Sequence, residues 1–325
     1  MPGSALLHQA WYENAWWLRM LQPLEWLYRA VTTVRRSCYR NGLLAAYRAC
    51  KPVVIVGNIH LGGTGKTPVV IALVEALHRQ GIRAGVVCRG YGGEGRRIPH
   101  IVGADSSPAQ CGDEALLVHL RTGCPCVAAP SRVAAVQALL RDFAVDVVIC
   151  DDGLQHYALA RDMEIVLYDA QSGFGTGRCL PSGPLRESLD RLESADFVLA
   201  KHGANASTRV CYRLDGLVNV LSGQSRDGSP LGLGCDVYAV AGIAQPEQFF
   251  NALRERGFVP HTRIFPDHHS YQASDFSDLT DKPILMTEKD AVKCRALVGH
   301  NTWYLKISAD LPGSVIGAVV SLARC

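Results

Sequence analysis

Six consecutive residues, Gly62-Gly63-Thr64-Gly65-Lys66-Thr67, have the composition that cradles phosphate. Glycines let the backbone turn its N–H groups toward an anion at a helix N-terminus, the lysine adds charge, and the threonine hydroxyl can reach a Mg²⁺ ion. His60 stands where the strict G-x-x-x-x-G-K pattern has its first glycine. Asp151 and Asp152 end the apolar run VVIC, and carboxylates at the end of a buried strand can hold Mg²⁺ beside such a loop. Gly153-Leu154-Gln155-His156 follows them directly. Gly112-Asp113-Glu114 precedes a helical pattern, where acids favour the helix dipole without doing chemistry. Phe265-Pro266-Asp267-His268-His269 joins acid and imidazole in one loop, and neither of these two segments makes a site alone. Gly90-Tyr91-Gly92-Gly93-Glu94-Gly95 matches G-x-G-x-x-G, but no helix opens behind it, so it reads as a substrate or nucleotide loop rather than a dinucleotide fingerprint.

These groups need a scaffold. From Pro52 onward, buried runs alternate with helical patterns: PVVIVGN, AGVVCRG, PCVAAP, DVVICDD, MEIVLYDA and DFVLAKH as strands, with VVIALVEALHRQG, DEALLVHLRTG and RVAAVQALLRDF as helices. That grammar predicts a doubly wound, mostly parallel α/β sheet covered on both faces, of the P-loop nucleotide-binding kind. Past residue 205 the pattern weakens through the Gly/Ser-rich SGQSRDGSPLGLG and resumes with DVYAVAGI, PEQFFNALRERG, HTRIFPD and KPILMTEKD. The expected division is an N-terminal helical segment over 1–50, a nucleotide-binding unit over 51–205, a linker over 206–235 and a smaller α/β unit over 236–325. Whether Glu288-Lys289-Asp290 contacts a nucleotide base or merely ends a strand stays open.

Composition narrows the classes. Of 325 residues, 48% are hydrophobic and 19% charged, enough for a sizeable core and incompatible with wholesale disorder. A formal charge of +3 is too balanced to suggest nucleic acid as a partner. The 12 cysteines are dispersed without zinc-ligand spacing and read as reduced thiols, Cys124-Pro-Cys126 giving only a weak metal pair. No run is long and apolar enough to span a bilayer. The first fifty residues carry four of the five tryptophans and a basic end, Arg29, Arg35, Arg36 and Arg40. Trp17, Leu21, Leu24, Tyr28 and Val31 recur at helical spacing, and Pro23 starts or kinks that helix. Such a stripe either lies at a membrane interface or packs on its own domain.

Taken in order, VGNIHLGGTGKTP, CRGYGG, GDEALL, SRVAAVQAL, DDGLQHYALARDMEIVLYD, GFGTGRCLPSGPLRE, AGIAQPEQFF, FPDHHSY and LMTEKDAVKC resemble the tetraacyldisaccharide 4'-kinase (lipid A 4'-kinase) family, over about residues 53 to 295. The resemblance implies transfer of the ATP γ-phosphate to the 4'-hydroxyl of a tetraacyldisaccharide 1-phosphate, giving lipid IVA, with ATP and Mg²⁺ as cofactors. It also implies two α/β/α domains, an N-terminal membrane-associated helix and work at the cytoplasmic face of the bacterial inner membrane, with no obligate protein partner. Residue by residue, it implies nucleotide contacts from Gly62 to Thr67, with Lys66 on the phosphates. Thr67, Asp151, Asp152 and Glu187 fall to the metal, and Asp113 becomes the catalytic base, working with His268 in preference to His269. Tyr91, Arg132, Gln155 and His156 are assigned to the substrate. With an acylated substrate, the interfacial reading of the N-terminus is favoured. The main rival is a nucleotide-switch ATPase, whose GG-x-GKT loop carries a lysine just before the glycines; Leu61 occupies that place, and Pro68 follows Thr67. A soluble kinase for a small metabolite would leave the Trp-rich N-terminus unexplained.

Overall fold

A computed structural model describes residues 2–90, 99–227 and 235–325; Tyr91 therefore lies outside the described residues. The chain opens with α1 (Pro2–Glu13), a 3-10 turn (Trp16–Leu21) and α2 (Gln22–Arg40). The nucleotide unit follows as β1 (Val53–Gly57), α3 (Lys66–Arg79), β2 (Ala84–Cys88), β3 (His100–Val102), α4 (Pro108–Cys111), α5 (Asp113–Thr122), β4 (Cys126–Ala128), α6 (Arg132–Asp142), β5 (Val147–Asp151), β6 (Met163–Asp169) and β7 (Phe197–Lys201). Then come β8 (Arg209–Asn219), β9 (Ser225–Arg226), β10 (Asp236–Ala241), α7 (Pro246–Glu255), β11 (Val259–Ile264), β12 (Ile284–Thr287), α8 (Glu288–Cys294), β13 (Thr302–Asp310) and α9 (Gly313–Arg324).

The strands run in the order β11-β10-β12-β13-β8-β7-β6-β1-β5-β2-β4-β3, with β9 beside β8. From β7 to β4 every pairing is parallel, and β3 closes that edge antiparallel to β4. Alternation along β1 sends Val54 and Val56 to the layer built by α3, α5 and α9, while Val53 and Ile55 face the layer built by α6. Complete burial of each such side chain contributes about 1.5–3 kcal/mol, which is why this strand tolerates no polar residue between Val53 and Val56. A β-strand buried on both faces with helices alongside is the arrangement the apolar runs predicted.

Two features depart from the sequence reading. Arg209–Asn219, inside the expected linker of 206–235, is an eleven-residue strand. Its Arg209 and Val210 pair in parallel with β7, and the stretch from Cys211 to Asn219 pairs antiparallel with β13, so one strand belongs to both halves of the sheet. Arg209, Cys211, Arg213 and Asp215 alternate with more buried neighbours, and that charged outer face hides the strand from a search for apolar runs. The N-terminal stripe is also divided. Pro23 begins α2 without kinking it. Trp17, Leu21 and Tyr28 turn toward the body, but Leu24 and Val31 face outward. The physical reason is Glu25: its buried carboxylate accepts the Cys179 N–H (3.1 Å), which fixes the rotation of the helix.

Candidate active site

The loop after β1 delivers Gly62–Thr67, the expected phosphate-binding residues, to the C-terminal edge of the parallel strands, where ligands of open α/β sheets bind. Gly65 caps α3 in the left-handed region (φ 76°). The Tyr212 hydroxyl donates to the Gly65 carbonyl (3.0 Å), and a Cβ on Gly65 would fall 2.5 Å from that hydroxyl oxygen. Backbone conformation and lack of space both demand glycine here. Inside the loop, Asn58 Nδ2 donates to Thr64 Oγ1 (3.2 Å). Lys66 is the first residue of α3, so the loop ends on the positive end of a helix. His60 is buried, its Nδ1 donating to the Leu61 carbonyl (2.9 Å) and its ring edge against Phe174. Burial lowers the pKa of His60.

Asp151 and Asp152 stand at the end of β5, and their environments push them apart. Burial pushes the Asp151 carboxyl up to about 7, with the Glu114 charge adding to it. Neither Asp151 oxygen has a hydrogen-bond partner among the described residues. Asp152 is half-buried, and Lys66 (3.4 Å) and Arg186 (3.2 Å) outweigh the burial it has and hold it at about 2. The strand end is pinned by Arg132, whose buried guanidinium donates to the carbonyls of Asp151 (3.0 Å) and Asp152 (3.2 Å). Arg132 thus shapes the loop from behind.

The segment 184–187 lies along the phosphate loop, Leu61 donating to the Pro184 carbonyl and Arg186 to that of Ile59. Tyr28 of α2 braces it by donating to the Arg186 carbonyl (3.0 Å). Gln155 Nε2 donates to the Asn58 carbonyl (3.1 Å) and to Glu187 Oε1 (2.9 Å). Tyr157 and Arg191 occupy the other Glu187 oxygen, so this carboxylate is engaged on both sides. Half-buried His156 is driven down to about 4, by burial first and then by Arg132, Arg161, Arg35 and Arg89.

Across the crevice, α5 and the loop after β11 bring the two motifs that neither segment could justify alone into contact. His268 Nδ1 lies 3.1 Å from Asp113 Oδ2, and the Glu114 N–H donates to Asp113 Oδ1 (2.9 Å). Burial raises the Asp113 carboxyl, but the His268 hydrogen bond and the Lys289 and Lys293 ammonium groups outweigh it and hold it below its ordinary value. His268 adopts a left-handed backbone (φ 59°), a strained conformation for a residue with a Cβ. His269 instead bonds Asp275 (3.1 Å) and stacks on Phe265. Glu288-Lys289-Asp290 opens α8 and makes contacts within the chain. Glu288 pairs with Arg121, Lys289 faces Asp113 and Glu114, and Asp290 accepts the Gly242 N–H (3.0 Å). Sequence reading singled out none of Arg186, Tyr157, Tyr212 or Lys293. Arg186 and Lys293 do lie inside the quoted motifs GPLRE and EKDAVK.

The donor set suits a hard divalent cation. Asp151 offers two unpartnered oxygens in a buried setting, and Asp152 stays ionised beside it. Among the described residues no three His, Cys, Asp or Glu side chains converge on one point. Mg²⁺ does not require that, since it keeps waters and shares phosphate oxygens.

Comparison with known proteins joins these observations. The family model for tetraacyldisaccharide-1-P 4'-kinase matches residues 17–323. A tetraacyldisaccharide 4'-kinase of Pseudomonas putida is 47% identical over 313 residues, covering 95% of this chain and 94% of that protein. One from Ectopseudomonas mendocina is 46% identical over 312 residues, covering 95% of this chain and 94% of its own. Among solved structures, LpxK from Aquifex aeolicus in complex with ATP superposes with a TM-score of 0.79 at 25% identity, covering 94% of this chain and 99% of that one. With a family model spanning nearly its whole length and relatives close to half identical, this chain belongs to the tetraacyldisaccharide-1-P 4'-kinase family.

Proposed function

We propose that the chain transfers the γ-phosphoryl group of ATP to the 4'-hydroxyl of tetraacyldisaccharide 1-phosphate, forming lipid IVA, at the cytoplasmic face of the bacterial inner membrane. The observation that carries this reading is the Asp113–His268 pair, assembled from two distant segments across the crevice from a phosphate-binding loop. ATP phosphates lie against Gly62–Thr67, and Lys66 exchanges its resting partner Asp152 for phosphate oxygens. Arg186 keeps Asp152 paired when Lys66 leaves. Thr67, Asp151 and Asp152 would hold Mg²⁺, which supplies charge neutralisation on the phosphates. Glu187 serves that set by holding Gln155 and Tyr157, and joins it directly only by releasing one of them. Asp113 takes the hydroxyl proton as the new O–P bond forms and the β–γ bridging bond breaks, releasing ADP. Gln155 and His156 remain candidates for the acceptor, and Arg132 fixes the carboxylate loop from behind rather than reaching substrate. Incubation with γ-labelled ATP and detergent-dispersed disaccharide 1-phosphate should place label at the 4'-hydroxyl. ATP consumed without labelled lipid would overturn the assignment in favour of a switch ATPase.

The N-terminal segment supplies the membrane contact in this reading. Trp16 (75% exposed), Trp26 (65%), Leu27 (63%), Val31 and Val34 project outward, with Arg29, Arg35 and Arg40 exposed among them. No helix among the described residues is long and apolar enough to cross a membrane, and outward Trp, Leu and Val side chains set among arginines fit an interfacial helix. Replacing Trp26, Leu27 and Val34 together by aspartate is expected to lower association with anionic vesicles at least about tenfold, since each apolar side chain contributes about 1.5–3 kcal/mol when buried. All three are exposed, so folding and transfer to detergent-dispersed substrate should survive. Unchanged flotation with vesicles would return the helix to a packing role.

A further inference from the structure

His60 stands where the strict phosphate-loop pattern has its first glycine, and it is almost wholly buried (3% exposed). Its Nδ1 lies 2.9 Å from the Leu61 carbonyl oxygen. A carbonyl only accepts, so Nδ1 carries the ring proton. Burial, with Lys66 and Arg186 adding to it, favours the neutral ring, and Nε2 then presents a lone pair. Among the described residues Nε2 has no hydrogen-bond partner. The ring edge meets Phe174, which stacks on Tyr168. As mere filling for that space an imidazole is a poor choice. An apolar side chain of similar size would pack there without a buried, unpaired acceptor. What the ring contributes lies at Nδ1.

We propose that His60 is a positioning residue for ATP: its Nδ1–H pins the Leu61 carbonyl and thereby aims the Gly62 N–H at a phosphate oxygen. The proposal rests on Gly62–Thr67 being the phosphate loop. Leu61–Gly62 is a trans peptide, so its N–H points opposite to its carbonyl. Anchoring the carbonyl on the buried imidazole turns the Gly62 N–H away from that buried side, and no acceptor among the described residues takes it. Gly62 has φ 115°, a region open to glycine, so this peptide plane is otherwise free to swing. The residues before it are tied by backbone pairing to 184–186, through Leu61 N–H on the Pro184 carbonyl (2.9 Å) and Arg186 N–H on the Ile59 carbonyl (2.7 Å). The imidazole extends that anchorage by one peptide, into the glycines.

His60→Leu keeps most of the volume and removes the donor. His60→Asn returns a donor at the same branch point, because Nδ2 of asparagine is bonded to Cγ as Nδ1 of histidine is. In the full-length enzyme, equilibrium binding of ATP to His60→Leu should weaken about tenfold, the scale of one hydrogen bond to a charged group. Turnover at saturating ATP and KM for the lipid should stay within about threefold, as expected when binding shared by ground and transition states is lost. The melting temperature without nucleotide should not fall, since the unpaired Nε2 leaves with the ring. His60→Asn should recover most of the affinity. Parent-like ATP affinity in His60→Leu would overturn the proposal. So would equal losses in the leucine and asparagine variants, or a loss accompanied by a lower melting temperature and a raised KM for lipid. Lys66→Ala measured alongside separates the two levels. If it transfers phosphate within about tenfold of the parent rate, the phosphate-loop reading itself fails. If it is slow while His60→Leu binds ATP normally, only the role of His60 fails.

Discussion

Lys66→Ala is expected to slow phosphoryl transfer by about 10³-fold or more, the scale on which a fixed cation at a developing charge acts in a water-poor site. Lys66 opens α3 and reaches the Asp152 carboxylate just past the end of β5. At rest its ammonium sits on Asp152, which it shares with Arg186. With ATP present the same ammonium can follow the γ-phosphoryl group. Alanine leaves Asp152 paired to Arg186, so the fold should tolerate the change. Lys66→Arg should recover little, because a planar fork does not replace a compact point charge on a short path. Single-turnover transfer with saturating ATP is the measurement. A rate within tenfold of the parent enzyme would remove the loop from the chemistry.

Asp113→Asn should cost about 10²–10⁴-fold in turnover while ATP binding is retained. The substitution is close to isosteric, and an amide oxygen can still accept from His268 Nδ1–H, so geometry survives while basicity is lost. Its contact with His268 links α5 to the loop after β11. Burial favours the protonated acid, and His268, Lys289 and Lys293 overcome it, so Asp113 titrates below the ordinary aspartate range. The sign follows: its stabilisation is complete above the ordinary aspartate pKa and disappears as pH falls through the depressed value. Equilibrium ATP binding beside single-turnover transfer decides the matter. Weakened ATP affinity with a normal rate for the bound fraction would remove Asp113 from the role of base.

Legibility in the sequence followed burial. Strands β1, β2, β5, β6 and β7 are continuous apolar runs because both faces are covered, and a run of that kind has little else to become. Strand β8 escaped notice because its outer face keeps arginines and an aspartate beside solvent. The helical period located α2, but periodicity cannot say which face docks. That choice depends on a carboxylate at Glu25 meeting a backbone N–H at Cys179, more than 150 residues away in the chain. The Gly62–Thr67 loop between strand and helix was readable since its parts are contiguous. Arg186 and Tyr157 were not, because each acts on a group brought to it by the fold: Asp152 and Glu187.

Helix α9 has a consequence for how the molecule is made. Val315 and Val319 complete the core between the sheet and α3, although residues 313–324 follow the whole second unit in the chain. Domains commonly fold in the order in which they are synthesised. Here the nucleotide unit emerges early with one of its walls still missing. Its apolar flank must wait, sheltered or at risk of aggregation, until the second unit has been translated and α9 can return. The last layer of the first core is thus laid by the last helix described, so the nascent nucleotide unit keeps an apolar flank uncovered until α9 is made.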